Sequence, residues 1–346
     1  MVDRLGIAIL GGDLASVDSL SRRVEAAGFD SVWTTEFYER SATISLAVMA
    51  QATERITIGS AIAYAVGRSP LVLAVEARDV DELSGGRFVL GLGTGTVTMQ
   101  RDWHSADFSH PAPRMEELVP LLRAFWEMDE SGVHHDGRFY NVHLNPTMEL
   151  RSPLRPDIPV YTSGLNRRIL QTAGRVADGL VGHPIFSRRY VAEVVRPEIA
   201  AGAEHAGRDP GAVQIAGMVI CSVSDDRERA IAEAKAQIGF YSLVRTYKIV
   251  METLGFEDAA AAIREAWKSR DQQAMIAAVP DAMVEQMAVA GTPDEVRDQL
   301  EERFGGVYEQ TLLYPASFGS HPGRAAENVD AILETFSPVA VDVGAR

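Results

Sequence analysis

Short apolar runs alternate with stretches of helical period along almost the whole chain. The first run, LGIAIL (Leu5–Leu10), gives way to a helical pattern over about Ser16–Ala27 that stops at Gly28, a residue suited to the left-handed turn after a helix. DSVWTTE (Asp30–Glu36), RITIGSAIA (Arg55–Ala63) and GGRFVLGLG (Gly85–Gly93) read as the second, third and fourth strands. Helical patterns over about Ala42–Thr53 and Leu71–Leu83 separate them. A helix over about Arg114–Met128 is followed by an irregular stretch, residues 130–158, that reads as a hairpin-bearing excursion. PVYTSG (Pro159–Gly164), DGLVGHP (Asp178–Pro184), VQIAGMVICSV (Val213–Val223) and YEQTLLYP (Tyr308–Pro315) bring the strands to eight. Their helices run over about Arg167–Val176, Arg188–Ala206 and Ala325–Phe336, and Thr292 with Pro293 marks a capped helix start before the last strand. Between Asp225 and Ala290 the helical pattern is too long for one crossover, which predicts a helical insertion at about 238–288.

Strands that are apolar throughout, rather than alternating, are parallel strands covered on both faces. Eight such strands, each followed by a helix, predict an α/β fold: a single (β/α)8 TIM barrel with insertions over residues 1–337, and residues 338–346 as a flexible tail. The structural alternative is a two-domain doubly wound sheet. No linker rich in Pro, Gly or Ser divides the chain, which favours the barrel.

Composition narrows the function classes. A net charge of −15 leaves no excess of Lys and Arg to neutralise phosphates, so a nucleic-acid partner is not expected. No apolar run approaches the roughly 20 residues of a membrane span, and the start of the chain carries no signal-peptide pattern. A cytoplasmic protein acting on a small molecule is the default. The one cysteine, Cys221, lies in an apolar strand and reads as a buried structural thiol. His134 and His135 fall in a polar loop and read as solvated, and no His and carboxylate spacing recommends a metal site.

The chemically suggestive stretch is GRFVLGLGTGT (Gly86–Thr96). A dinucleotide fingerprint requires G-x-G-x-x-G entering a helix, but the sixth position is Thr96 counted from Gly91 and Thr98 counted from Gly93. Both registers fail. At the C-terminal end of a barrel strand, glycines instead let a flat ligand approach the backbone. Gly91 is equally well explained as relief of crowding inside the barrel.

Taken with its flanks, RSPLVLAVEARDVDELSGGRFVLGLGTGT (Arg68–Thr96) resembles the strand–helix–strand signature of the bacterial luciferase-like superfamily. AEAAGFDSVWTTE, GRFYNV (Gly137–Val142), SGLNRRILQTAGRVADGLVGHP (Ser163–Pro184) and AGTPDEVRDQL are similar to further family stretches in the same order. Only about Ile238–Ala288 falls outside the resemblance. It implies the same barrel, a homodimer, and either reduced FMN used with oxygen by monooxygenases or the deazaflavin coenzyme F420 used for hydride transfer. The GRSP turn and the chain length resemble the F420 branch, which includes methylenetetrahydromethanopterin reductase. That gives a first reading of an F420-dependent oxidoreductase. An FMN-dependent monooxygenase is the alternative, and a non-catalytic flavin-binding barrel is the third.

The resemblance also implies site residues. A bulge with a non-prolyl cis peptide would fall at Ala61–Ile62, behind the ring of the coenzyme. Gly93, Gly95 and Thr96 would line the ring edge, and Thr96 stands where sugar-phosphate dehydrogenases of the family carry Glu, which argues against that activity. Glu36 matches an acidic position that contacts the coenzyme, but Phe37 replaces the His that follows it in F420 relatives. Ser163, Gly164, Leu165 and Asn166 would hold the coenzyme phosphodiester at a helix N-terminus, with Arg167 or Arg168 nearby. Glu36, Tyr64 and His183 are the candidates for handling a proton, with Trp103–His104 behind them. The aromatics of FYSLVRTYKIV (Phe240–Val250), at helical spacing, read as core packing in preference to pocket lining.

Overall fold

The structure, a computed structural model, describes residues 2–107 and 109–337; the expected tail lies outside them. Its strands are β1 (Leu5–Ile9), β2 (Ser31–Thr34), β3 (Thr57–Ser60), β4 (Ala63–Tyr64), β5 (Phe88–Gly93), β6 (Val133–Asp136), β7 (Asn141–Leu144), β8 (Val160–Ser163), β9 (Gly179–Gly182), β10 (Gln214–Val223), β11 (Ala288–Gly291) and β12 (Gln310–Pro315). Eight of them close a parallel barrel in the order β1-β2-β3-β5-β8-β9-β10-β12, with β12 returning to β1. Ile7 illustrates the closure, lying opposite Val32 on one side and Leu313 on the other. These are the eight strands expected from the apolar pattern, and the fold is the (β/α)8 barrel. β6 and β7 form the expected hairpin outside it.

The SGGR segment shows why one part of the motif recurs as a unit. Gly85 caps helix Pro70–Ser84 in the left-handed conformation (φ 65°). Arg87 then reaches the end of helix Ala42–Ala52, donating to the carbonyls of Ala50, Thr53 and Ile56 and to the Thr53 hydroxyl. One guanidinium satisfies carbonyls that a helix end leaves orphaned.

The third strand departs from a simple run. It breaks after Ser60, passes through a cis peptide at Ala61–Ile62, and resumes as β4 beside β5. The helix expected from about Arg114 begins earlier, at Pro111, because proline fits the first helical turn, where no N–H is needed. The long helical region resolves into helix Arg227–Ser242 followed by short helices at Lys248–Leu254, Glu257–Lys268, Gln272–Ala277 and Asp281–Met287. β11 then pairs with the upper half of β10, with Cys221 opposite Val289. Helix Pro293–Phe304 starts on a full capping box between Thr292 and Glu295.

Candidate active site

Alternation along the strands decides what lines the barrel. Ala8, Trp33, Ala61, Tyr161, Val181, Ala216, Met218 and Leu312 pack together as the interior, separate from the larger core beneath the helices. The lower interior is closed by polar contacts: Ser31 Oγ accepts from Trp33 Nε1 (2.9 Å) and Gln310 Nε2 (2.5 Å), and the Tyr161 hydroxyl donates to Gln214 (2.9 Å). Accessible surface reappears at the C-terminal strand ends. Ile62, Thr94–Thr96, Ser163, Gly164, His183 and Tyr314 are half-buried above a buried interior. This is the face on which barrel enzymes carry their chemistry.

One side of the mouth, on β3 and β5, is lined by small residues. An added Cβ on Gly93 would lie 2.6 Å from the Ile62 side chain. Gly95 turns the chain with φ +67°, against Tyr64 and Met99. Thr96 Oγ1 accepts from Met99 N (3.3 Å), so this threonine caps the helical turn that begins at Val97 and leads into Met99–Trp103.

Behind that platform lies a buried ion pair. Glu36, 7% exposed, accepts from Tyr64 N (2.8 Å) and from both terminal nitrogens of Arg68 (2.8 and 2.5 Å). Its own N–H donates to the Ile62 carbonyl (2.9 Å), and Ala61 N donates to Thr34 O (2.7 Å). Arg68 Nε also meets Glu76 (3.0 Å). Glu36 therefore holds the segment after the cis peptide, through its N–H to Ile62 O and its carboxylate to Tyr64 N and Arg68, while Thr34 O holds Ala61 on the other side. Arg68 was visible in GRSP but had no role there; its signal was a lone arginine between a strand end and the Pro70 helix start.

Across the mouth stands an aromatic wall. His183, at the end of β9, meets the rings of Tyr241 (centroids 4.7 Å apart) and Tyr247 (4.4 Å) edge-on. The Tyr241 hydroxyl donates to the Tyr314 oxygen (2.7 Å). His183 Nδ1 accepts from Ile185 N (3.4 Å), which places the ring proton on Nε2. Although some of the ring surface is accessible, protein surrounds it, and this burial lowers its pKa to about 3. Tyr64 is pushed up to about 12, by burial first and then by the charge of Glu36 and by Tyr247. The aromatic stripe of residues 240–247 thus divides. Tyr241 joins the core and still touches His183, while Phe240 stacks on Phe318 (4.6 Å).

The His183 environment predicts an acid-side loss of stability. The unfolded chain takes up a proton below about 6.5 while the folded ring does not, so folding weakens as pH falls from about 6.5 toward 3. A His183→Gln variant should show a shallower fall in melting temperature between pH 7 and 4.5 than the parent. Parallel curves would show that the ring protonates without cost in the fold.

Ser163 ends β8, and Asn166 caps helix Arg167–Val176, its side chain accepting from Ile169 N (3.1 Å). The Leu165 carbonyl accepts from the Tyr190 hydroxyl (2.7 Å), and a Cβ on Gly164 would fall 2.1 Å from Ile169. Arg167 pairs with Glu198 and Arg168 with Glu116, each at 2.5 Å. Both arginines thus hold carboxylates, and the helix N–H groups are what this corner offers an anion. At the rim, Trp103 packs edge-on with Phe37 (5.3 Å) and Tyr38 (5.6 Å), and His104 meets Tyr64 (4.9 Å). His134 and His135 lie on strand β6 of the hairpin and not in a loop; His134 is exposed as expected, but His135 bonds Glu117 (3.0 Å) and is not simply solvated. Among the described residues no group of three or more His, Cys, Asp or Glu side chains could hold a metal ion. No helix among them is long and apolar enough to cross a membrane.

A closed parallel barrel with accessible side chains at the C-terminal ends of its strands places the candidate site where (β/α)8 proteins carry theirs. The luciferase-like monooxygenase family model matches residues 5–310, and the chain belongs to that family. It is 32% identical over 330 residues to an uncharacterized protein of Mycobacterium tuberculosis, covering 93% of this chain and 95% of the relative. It is 28% identical over 301 residues to 5,10-methylenetetrahydromethanopterin reductase of Methanolobus tindarius, covering 86% and 89%. Among solved structures, the coenzyme F420-dependent tetrahydromethanopterin reductase from Methanopyrus kandleri superposes with a TM-score of 0.80 at 25% identity, over 97% of this chain and 98% of that one.

Proposed function

We propose that the protein is a coenzyme F420-dependent oxidoreductase that moves hydride between the deazaflavin C5 and a small organic substrate at the barrel mouth. The observation that carries this reading is the broken third strand: the Ala61–Ile62 segment, with Ile62 packed against Gly93, lies at the mouth where a planar ring would rest. The likeness to F420-dependent reductases along most of the chain supports it.

The residues present suit the coenzyme. The broken strand at Ala61–Ile62, with Gly93 and Gly95 packed beside it, offers a close backing for a ring, and the start of helix Arg167–Val176 offers positive potential for a phosphodiester. Ala61, Ile62, Gly93, Gly95 and Thr96 would hold the ring, and Ser163, Gly164, Leu165 and Asn166 the phosphodiester. When bound, the coenzyme supplies the hydride-carrying carbon; the protein positions it and handles the proton. Glu36 serves in this reading as the anchor of the platform, because three donors already occupy its oxygens. Tyr64 and His183 remain the groups at the mouth through which a proton can pass.

Separate titrations with F420 and with FMN, followed by tryptophan fluorescence, test the coenzyme. Trp33 in the interior and Trp103 at the rim make the signal sensitive to the mouth. Quenching by F420 with turnover of F420H2 is the expected result. Tight FMN binding without F420 binding would overturn it in favour of a monooxygenase, and F420 binding without turnover over enones, alcohols and imines would favour a binding barrel. The same reading includes a homodimer. Ile44, Leu71, Val72 and Val75 are exposed on the neighbouring helices Ala42–Ala52 and Pro70–Ser84, and light scattering should give twice the chain mass.

A further inference from the structure

Three tyrosines and one histidine face each other across β9, β12, helix Arg227–Ser242 and the insertion, and their hydrogen bonds are not equivalent. Tyr314 is the uppermost inward residue of β12, two positions above the interior Leu312. Its oxygen accepts from the Tyr241 hydroxyl, and among the described residues this is its one hydrogen bond. Its own O–H is therefore uncommitted, on a half-buried side chain at the mouth. Tyr241 has no such freedom. It is buried, seated edge-on against His183, and its proton is already spent on Tyr314.

We propose that Tyr314, oriented by Tyr241, is the hydrogen-bond donor that recognises the reacting oxygen of the substrate, and that this substrate is uncharged there: a ketone, aldehyde or alcohol rather than a carboxylate or phosphate. This rests on the oxidoreductase reading and adds the substrate class to it.

Two lines of chemistry lead to the neutral class. A phenol donates one hydrogen bond and carries no charge, and burial keeps the Tyr314 hydroxyl protonated. An anion taken into this wall would need a cation to offset its desolvation. Of the cations near the strand ends, Arg68 is held by Glu36 and Glu76, Arg167 by Glu198 and Arg168 by Glu116; Arg40 donates to the Gly12 carbonyl, and Arg245, near Tyr247, is exposed to water. The neutral His183 adds no charge, and the chain as a whole carries −15. A hydroxyl that accepts one hydrogen bond donates the next more strongly, so the Tyr241–Tyr314 order is the one that sharpens Tyr314 as a donor.

Matched six-membered-ring probes test this. Cyclohexanone, cyclohexanol and cyclohexanecarboxylate are titrated into the protein, with and without F420, following tryptophan fluorescence. The ketone and alcohol should bind and the carboxylate should bind at least tenfold more weakly. Tyr314→Phe should weaken the ketone by roughly five- to tenfold, the worth of one neutral hydrogen bond, with F420 affinity unchanged. Tyr241→Phe, which leaves Tyr314 in place without its orienting donor, should weaken it less. Near-ultraviolet circular dichroism checks that each variant keeps its packing. Ketone binding unaffected in Tyr314→Phe, or carboxylate binding as tight as ketone, would overturn the proposal. If F420 fails to bind while the free protein still binds ketone in a Tyr314-dependent way, the coenzyme reading falls and this one stands.

Discussion

Replacing Gly91 by alanine should cost about 3 kcal/mol of stability or more and lower coenzyme affinity by over tenfold, although the residue lies below the mouth. The new Cβ would sit 1.8 Å from the Ser60 carbonyl oxygen and 3.1 Å from Val181. The first of these is backbone, so no side-chain rotation relieves it. Ser60 and Gly91 are also latched in both directions: Ser60 Oγ accepts from Gly91 N (2.9 Å) and donates to Gly91 O (2.8 Å). Relief of the clash must part β3 from β5, and Ser60 is the residue before Ala61, so the platform moves with it. Gly93→Ala is the contrasting variant. Its Cβ meets the flexible end of Ile62, so stability should fall by less while ring binding suffers as much. Urea unfolding and F420 titration of both variants give the comparison. A Gly91→Ala protein as stable as the parent would mean that the strands are not this close.

The barrel was legible because its strands are covered on both faces and so read as unbroken apolar runs. Residues such as Ile58, Leu92 and Val181 are buried to 0% exposure. The platform was legible only through resemblance. Nothing in SAIAYA distinguishes a broken strand from a continuous one, because the break at Ala61–Ile62 is held by Glu36, some 25 residues earlier. Long-range pairing of this kind leaves no periodic trace. The same reason hid Arg68, whose partners are Glu36 and Glu76. Arg167 and Arg168, which the resemblance sets near a coenzyme phosphodiester, pair with carboxylates on other helices, and no local pattern announces those partners. For the aromatic wall, the signal was present in two pieces. TLLYP carries a tyrosine in register with the inward Leu312, and the 240–247 stripe carries its donor; only the fold brings Tyr241 within 2.7 Å of Tyr314.

The Glu36–Arg68 pair separates an anchoring role from a catalytic one. Glu36→Leu leaves the guanidinium without its bidentate partner and the Tyr64 N–H without an acceptor, in a site where the two side chains are 8% and 17% exposed. Removing one member of a buried pair costs about 3–5 kcal/mol. Glu36→Gln keeps the shape and can still accept from Tyr64 N, so its loss should be smaller, about 2 kcal/mol. Arg68→Met should reproduce most of the Glu36→Gln phenotype, and the double variant should be less damaged than the sum of the two, because the second change removes a charge the first left unpaired. A proton-transfer role predicts a different pattern. Glu36→Gln would then fold and bind F420 like the parent and lose only kcat, while Arg68→Met would be nearly harmless. Unfolding curves, F420 affinity and kcat measured on the four proteins distinguish the two. Stability and affinity falling together in both single variants is the expected result, because the carboxylate ties Arg68 to Tyr64, which directly follows the Ala61–Ile62 segment on which the ring is proposed to rest.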